Sequence, residues 1–162
     1  SPKSVMTIKE CFEHSSNVAM AKLAYNYYNS NPGKFYQHYE TLGLTSRTGI
    51  DLNEEFRPTV KNPKRKDWHL QTLPSMGFGY EVMLSPLQLL TVYNAVANNG
   101  KLMKPYLVNS IEKDGNILRG FEPQVKNEKI CSPATLKQLQ ECLRAVCIDG
   151  TAKRFLRMRH IQ

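Results

Sequence analysis

The sequence predicts an α+β fold that is mainly α-helical. Five segments carry apolar residues at helical spacing next to polar caps, whereas only one segment carries the signal of a β-hairpin. At 162 residues, with 41% hydrophobic and 22% charged residues, the chain has the length and composition of one globular domain. We therefore expect a helical body with a small two-stranded ribbon.

The first two predicted helices meet at a short polar junction. Thr7 and Glu10 have the spacing of a capping box, so a helix should begin there. Apolar residues recur at i, i+3, i+4 and i+7 across Met20–Tyr27, which predicts that a second helix begins near Asn17. The junction, residues 14–18, has the sequence His-Ser-Ser-Asn-Val.

The Ser-Ser-Asn stretch of this junction has two interpretations. Short polar side chains at a helix start accept backbone N–H bonds in any protein, so the stretch can be a helix cap and nothing more. Alternatively, Ser15 and Asn17 present a hydroxyl and an amide to a cleft, as the S-x-N element of acyl-serine penicillin-interacting enzymes does. Three residues do not decide between these interpretations, and both stay open at this point.

A third helix and a long loop follow. A cluster of Asn, Ser, Pro and Gly residues ends the second helix. Phe35, Tyr39 and Leu42 share one face of the third helix, and Gly43 supplies a left-handed residue that closes it. Residues 53–73 are rich in Pro, Lys and Asn with little periodicity, which predicts a long surface loop.

Two glycines flank an aromatic residue in Gly77-Phe78-Gly79-Tyr80. This pattern is typical of a backbone that turns tightly or approaches another segment closely. A phosphate-binding loop is the alternative, but the third glycine, the preceding strand and the Lys-Ser/Thr ending that it requires are missing. We therefore set the phosphate-binding interpretation aside.

Two helices with a Ser-Pro start enclose the predicted hairpin. Leu87–Ala97, which follows Ser85-Pro86, is apolar on nearly all sides, and this predicts the most buried helix of the chain. Asp114-Gly115 lies between two apolar stretches, which is a strong hairpin signal. Ser132-Pro133 then begins a last long helix that should end at Asp149-Gly150.

Charge and cysteine usage restrict the function classes. The net charge is +8, and basic residues cluster at 61–66 and 153–159. No aromatic residues interleave with these clusters, so we interpret them as solvated surface and expect no nucleic-acid partner. The four cysteines form no CxxC pair, so we interpret them as small buried residues and expect no metal site. We expect no cofactor either.

The ends of the chain predict an internal piece of a longer protein. The sequence begins at Ser1 without a basic and then apolar leader, and no run of 18 apolar residues occurs. We therefore expect neither a signal peptide nor a membrane span within these residues, and we expect the piece itself to be soluble.

Four separated segments agree, in content and in order, with one protein family. They are Ser15-Ser16-Asn17-Val18; Leu42-Gly43-Leu44 with Thr48-Gly49-Ile50-Asp51-Leu52; Gly77-Phe78-Gly79-Tyr80 with Ser85-Pro86-Leu87-Gln88-Leu89; and Ala97-Asn98-Asn99-Gly100 with Lys104-Pro105. This set resembles the class B penicillin-binding proteins, the peptidoglycan D,D-transpeptidases of septal cell division or elongation. The resemblance runs from about Thr7 to about Arg157, and its most specific part is the segment from Gly77 to Leu89.

The resemblance implies a fold, a reaction and two site residues. The fold is the helical portion of the penicillin-binding transpeptidase or β-lactamase-like fold, with a small β-hairpin. The reaction is the cross-linking of peptidoglycan stem peptides through an acyl-serine intermediate. Ser15 would be the catalytic proton relay of the S-x-N element, and Asn17 would bind the acyl-side amide of the substrate and the active-site lysine.

Two motifs of the family are missing. The nucleophile belongs to an S-x-x-K motif ahead of S-x-N, and a K-T-G strand follows the last helix. Ser110-Ile-Glu-Lys113 matches S-x-x-K by letters but runs into the predicted hairpin, where residues three apart lie on opposite faces. Arg47-Thr48-Gly49 and Gly150-Thr151-Ala152 match K-T-G only in part. We therefore expect residues 1–162 to be the central part of one transpeptidase domain, without the nucleophile and inactive alone.

The resemblance also implies ligands, partners and a location for the parent protein. The ligands are peptidoglycan stem peptides and β-lactams, and the partners are the division or elongation machinery. The location is the periplasmic face of the bacterial inner membrane, reached through an N-terminal anchor that is absent from this chain. Two alternatives remain: a β-lactamase or β-lactam sensor of the same fold, and a basic binding module without chemistry.

Overall fold

The computed structural model describes residues 5–154 and confirms a mainly helical α+β architecture. The elements in chain order are α1 (Ile8–Glu13), α2 (Asn17–Tyr28), α3 (Pro32–Thr41), β1 (Thr59–Val60), α4 (Thr72–Met76), β2 (Val82–Met83), α5 (Pro86–Ala97), β3 (Leu102–Met103), β4 (Ser110–Lys113), β5 (Asn116–Gly120), β6 (Val125–Asn127) and α6 (Pro133–Ile148). Among these described elements, no helix is long and apolar enough to span a lipid bilayer.

The described residues form two compact units. The first unit contains residues 5–36, 61–82 and 134–154, and therefore α1, α2, α4 and α6. The second unit contains residues 37–60 and 83–133, and therefore α5 and strands β3 to β6. Helix α3 begins in the first unit and ends in the second.

The capping box predicted at Thr7 and the N-cap predicted at Ser85 are both present, and Ser85 also forms a capping box. The Glu10 carboxylate accepts from the Thr7 backbone N–H at 2.8 Å, and the Thr7 hydroxyl accepts from the Glu10 N–H at 3.2 Å. Ser85 and Gln88 form the same reciprocal pair at 2.8 and 3.2 Å. Both helix starts are therefore fixed by local side chains, as predicted.

Gly77 and Gly79 have different structural roles in the first unit. A Cβ atom at Gly77 would lie 2.8 Å from both the Ala24 Cβ and the Met20 carbonyl oxygen, so this position lets α4 approach α2. Gly79 has φ +94° and makes the turn that follows α4. The prediction of a close approach or a tight turn is confirmed, with one glycine for each. Leu73 and Met76 of α4 are buried as a result.

The second unit buries Gln88 together with its apolar core. The core residues are Leu44, Ala95, Val96, Leu102 and Ile130. The Gln88 side chain is 1% exposed, and its amide nitrogen donates to the Ser46 carbonyl at 3.0 Å. Its amide oxygen accepts a hydrogen bond from the Ser85 backbone N–H. Both the nitrogen and the oxygen of this buried amide are therefore hydrogen-bonded, which avoids the free-energy penalty of an unpaired polar group. Strands β3 and β6 pair in antiparallel orientation nearby in the same unit.

The prediction that α5 is the most buried helix is wrong for the described residues, because three of the 12 residues of α5 are buried, against three of the 5 residues of α4. Ala95 and Val96 are buried, but Leu89, Leu90 and Tyr93 are 46%, 62% and 58% exposed. A helix that is apolar around its whole axis needs neighbours on every side. Within residues 5–154, α5 has them on one side only.

The predicted hairpin forms from β4 and β5. The two strands pair in antiparallel orientation, with an irregularity between Ile111 and Glu112. Asp114 and Gly115 both have positive φ, at 52° and 78°, which suits the tight two-residue turn. Every residue from 111 to 120 is exposed.

Three smaller expectations need correction or restriction. The loop predicted for residues 53–73 contains β1, and its last two residues, Thr72 and Leu73, are buried because they begin α4. The four cysteines are free and half-buried instead of buried. Of the second basic cluster, residues 155–159 lie outside the described residues.

Candidate functional site

The junction at residues 14–18 begins with a helix ending made by the backbone alone. After α1, the Ser16 N–H donates to the Cys11 carbonyl at 2.9 Å and the Ser15 N–H donates to the Phe12 carbonyl at 3.0 Å, with His14 as the C-cap. This pair of bonds is the Schellman motif, in which the residue after the C-cap takes a left-handed conformation. Ser15 occupies that position with φ 53°.

Ser15 is an unusual residue for this position. Glycine is the common choice there, because a side chain in the left-handed region brings Cβ close to a carbonyl oxygen at a cost of about 1–2 kcal/mol. The Ser15 hydroxyl does not cap a helix in return. Its contact within the described residues is with the Thr151 hydroxyl, at 3.4 Å between the two oxygens. The side chain is otherwise exposed to solvent.

The capping role of this stretch belongs to Ser16. Its hydroxyl accepts from the Ala19 N–H at 3.4 Å, and its backbone is extended, as expected for an N-cap. The cap interpretation of the Ser-Ser-Asn stretch therefore holds for Ser16, whereas Ser15 precedes the cap and Asn17 follows it as the first residue of α2.

Asn17 is exposed at the start of α2. Within the described residues its side-chain amide makes no hydrogen bond, and the cap of α2 is supplied by Ser16. Ser15 and Asn17 therefore flank the capping residue of α2, and both present polar groups to solvent at the junction. An amide and a hydroxyl at this spacing can contact one ligand, since each is a donor and an acceptor.

Two residues at this junction were not expected from the sequence. Thr151 contacts Ser15, and Gly150 precedes it in the turn after α6. From the sequence, Gly150-Thr151-Ala152 is only a partial match to K-T-G. Because Ser15 and Thr151 are 136 residues apart in sequence, no local pattern indicates that they meet.

A second family segment, at Thr48 and Gly49, is enclosed by charged side chains. The Glu55 carboxylate accepts from the Thr48 N–H at 2.6 Å and from the Gly49 N–H at 2.9 Å. The Lys126 ammonium donates to the carbonyls of Arg47 and Thr48 at 3.0 and 2.9 Å. Thr48 is 4% exposed, so its side chain belongs to the buried framework of the second unit, although Arg47 and Gly49 on either side are exposed. Neither Glu55 nor Lys126 was singled out from the sequence.

The environment of Glu55 changes its acidity. Partial burial raises its pKa, but hydrogen bonds from the Thr48 hydroxyl and from the Gly49 and Thr48 N–H groups act in the opposite direction, helped by the charge of Lys126. The net effect is a Glu55 pKa below its ordinary value. The carboxylate form is therefore the one that holds this turn.

The remaining motif-like residues carry no nucleophilic arrangement. Ser110 and Lys113 lie on β4, as predicted, and the Ser110 hydroxyl donates to Glu112 at 2.8 Å. In residues 5–154, no group of three His, Cys, Asp or Glu side chains is placed to hold a metal ion. The basic residues Lys61 and Arg65 form ion pairs with Glu81 and Asp67.

Known relatives match nearly the whole chain. It is 29% identical over 148 residues to the probable peptidoglycan D,D-transpeptidase FtsI of Caulobacter vibrioides, covering 91% of this chain and 22% of that protein. It is 31% identical over 151 residues to penicillin-binding protein H of Bacillus subtilis, covering 85% of this chain and 21% of that protein. The chain thus spans about a fifth of the length of these relatives.

Solved structures agree with the fold. The chain superposes on penicillin-binding protein 3 of Mycobacterium tuberculosis complexed with ampicillin with a TM-score of 0.73 at 26% identity, covering 86% of this chain and 30% of that one. It superposes on penicillin-binding protein 2B of Streptococcus pneumoniae with a TM-score of 0.76 at 23% identity, covering 90% and 26%. The expected fold is therefore confirmed. The penicillin binding protein transpeptidase domain matches residues 1–160, and this chain belongs to that family.

Proposed function

We propose that this chain is the central part of a peptidoglycan D,D-transpeptidase that works through an acyl-serine intermediate. Ser15 relays a proton, and Asn17 binds the substrate. The nucleophilic serine, its lysine and the K-T-G strand lie in residues outside this chain. The names of the relatives support the activity. The chain covers only about a fifth of their length, which supports the proposal that other parts of the domain lie outside it.

The proposed reaction has two steps. The serine oxygen attacks the carbonyl carbon of the penultimate D-Ala of a stem peptide while its proton passes to the lysine. The C–N bond to the terminal D-Ala then breaks, and the leaving amine takes a proton that passes from the lysine through the Ser15 hydroxyl. In the second step, the amine of another stem peptide attacks the ester, which forms the cross-link and returns a proton to the serine.

The observation that carries this proposal is the conformation of Ser15. A glycine would fit its left-handed backbone without strain, and Ser16 already caps α2. The Ser15 hydroxyl is therefore not explained by local structure. A proton relay needs such a group, because it must be exposed to the substrate and free to donate and accept in turn.

Exposed apolar residues support the proposal that further chain completes the domain. Leu89, Leu90 and Tyr93 of α5 are exposed together on one side of a helix. Soluble domains rarely leave large contiguous apolar patches open to water. Additional residues of the same domain would remove this surface from solvent.

The ligands of the proposed enzyme are stem peptides and β-lactams, which mimic the D-Ala-D-Ala amide and trap the acyl-enzyme. A related solved structure is described as a complex with ampicillin. We propose that the complete enzyme works with the division or elongation machinery at the periplasmic face of the inner membrane. Slow release of the bound penicillin would distinguish this enzyme from a β-lactamase, which hydrolyses it rapidly.

The proposal is tested by two substitutions in the complete enzyme. Ser15→Ala should slow acylation by penicillin by about 10²–10⁴-fold, which is the usual range for a lost general acid–base step. Its melting temperature should not change. Asn17→Ala should also slow acylation, because the substrate amide loses a partner. Acylation rate and thermal unfolding are measured on the same samples.

Ser30→Ala is the matched control, since it removes an exposed serine hydroxyl after the other end of α2. It should leave acylation unchanged. If Ser15→Ala acylates at the parental rate, Ser15 has only a structural role and the proposed relay is wrong.

A further inference from the structure

The turn after α6 docks on the end of α1 within the first unit. The Thr151 N–H donates to the carbonyl of Glu13, the last residue of α1, at 3.3 Å. The last carbonyls of a helix have no partner within the helix, so this bond completes the end of α1 from a distant part of the chain.

Gly150 makes this docking possible. A Cβ atom at position 150 would run into the Glu13 carbonyl oxygen and would lie 2.7 Å from the Val146 Cα. Both neighbours are backbone atoms, which cannot rotate away as a side chain can. Any other residue at position 150 would therefore push the turn away from α1.

The docked turn brings the Thr151 hydroxyl to the Ser15 hydroxyl. The two oxygens are 3.4 Å apart, and either can donate. This distance exceeds the roughly 2.8 Å of a typical hydroxyl pair, so the contact orients Ser15 without holding it tightly. Hydrogen bonds at such sites often shorten only when the reacting complex forms.

We propose that Thr151 is a positioning residue for the Ser15 hydroxyl, held in place by Gly150. The inference rests on the proposed role of Ser15 as a proton relay. A serine side chain has three staggered rotamers, and a relay works from the one that faces both the donor and the acceptor. The β-branched side chain of Thr151 has few rotamers itself, so its hydroxyl offers Ser15 a partner in a fixed direction.

The test uses acylation of the complete enzyme by a fluorescent penicillin. Thr151→Val removes the hydroxyl and keeps the shape, and it should slow acylation by about 3- to 10-fold, the usual effect of one neutral hydrogen bond. Thr151→Ser keeps a hydroxyl but loses the β-branch, so it should acylate faster than Thr151→Val and close to the parental rate, a rescue that a purely structural role for the threonine would not give. Thr59→Val is the matched control at an exposed threonine of the second unit.

The double variant Ser15→Ala/Thr151→Val shows whether the two residues act together. If Thr151 acts through Ser15, the Val substitution adds no further slowing once Ser15 is Ala. If Thr151→Val slows both backgrounds equally, or leaves the parental rate unchanged, the inference is wrong. If Ser15→Ala acylates at the parental rate, the proposed function of Ser15 fails first and the inference fails with it.

Gly150→Ala provides an independent check on the docking. It should slow acylation at least as much as Thr151→Val, because the whole turn moves away from α1. The slowing should again disappear in the Ser15→Ala background. Parental acylation by Gly150→Ala would show that the docked turn does not position Ser15.

Discussion

The turn at Ser15 and the turn at Thr48 both belong to segments that resemble the transpeptidase family, yet they are held in opposite ways. The Ser15 turn is closed by backbone bonds, and its hydroxyl is exposed with one long contact. The Thr48 turn is closed by the Glu55 carboxylate and the Lys126 ammonium, and Thr48 is buried.

This difference separates residues that the fold explains from residues that it does not explain. Where a side chain is enclosed and its backbone is bound by other side chains, its identity is explained by the fold. Where the backbone closes by itself and the side chain is left in solvent, despite a strained conformation, the fold does not explain the residue. Ser15 is of the second kind, and Thr48 is of the first.

The largest expected effect comes from Ser15→Gly in the complete enzyme. Acylation by penicillin should fall by about 10²–10⁴-fold, as for the loss of a proton relay. The free energy of unfolding should stay equal or rise by up to about 1 kcal/mol, because the relief of left-handed strain is partly offset by the chain entropy of glycine. A stopped-flow acylation assay and a denaturant titration measure the two quantities.

The result that identifies a relay is slower acylation by Ser15→Gly together with an equal or higher free energy of unfolding. A loss of stability on Ser15→Gly, without a change in acylation, would place Ser15 with Thr48 in the framework. Ser15→Ala serves as the control, since it removes the same hydroxyl but keeps the strained Cβ.

A smaller effect is expected at the other turn, from Glu55→Gln. The amide cannot accept from the Thr48 and Gly49 N–H groups as the carboxylate does, so the free energy of unfolding should fall by about 1–3 kcal/mol. Acylation per folded molecule should not change. Glu54→Gln, a neighbouring exposed position, is the matched control and should leave stability unaltered. Slowed acylation in Glu55→Gln with unchanged stability would contradict the framework role.

The smallest expected effect is the pH dependence of the stabilisation that the Glu55 carboxylate provides. Because the folded-state pKa of Glu55 is lowered, its stabilisation is fully present above its ordinary value of 4.5 and is lost as pH falls through the lowered pKa. The difference in melting temperature between the parent and Glu55→Gln should therefore be constant near neutral pH and shrink in acid. A difference that grows on acidification would mean that Glu55 is held in its protonated form.

The parts of the fold that the sequence predicts correctly are those set by neighbouring residues. The starts at Thr7 and Ser85, the turn at Asp114 and the turn at Gly79 each depend on a few consecutive residues. The exposure of Leu90 was not predicted. The apolar residues of a sequence indicate which side chains a helix can bury, but they do not indicate which neighbouring elements are there to bury them.

The site was predictable only in part, for the same physical reason. The letters Ser-Ser-Asn indicate a helix junction, but they do not show which serine caps α2. That choice depends on the left-handed conformation of Ser15, a position at which glycine is expected. Thr151 and Glu55 were missed because their partners are set by how the chain folds back, through 136 residues in one case and an aperiodic loop in the other.

The hairpin of β4 and β5 offers a practical handle on the protein. A Cβ atom at Gly115 would meet nothing within 4 Å, and the neighbouring turn residues are exposed. Exposed loop tips are among the backbone positions that tolerate inserted residues best. A short epitope or a fluorophore-binding tag placed between Asp114 and Gly115 would therefore report on the protein in cells while leaving the buried residues of its unit untouched.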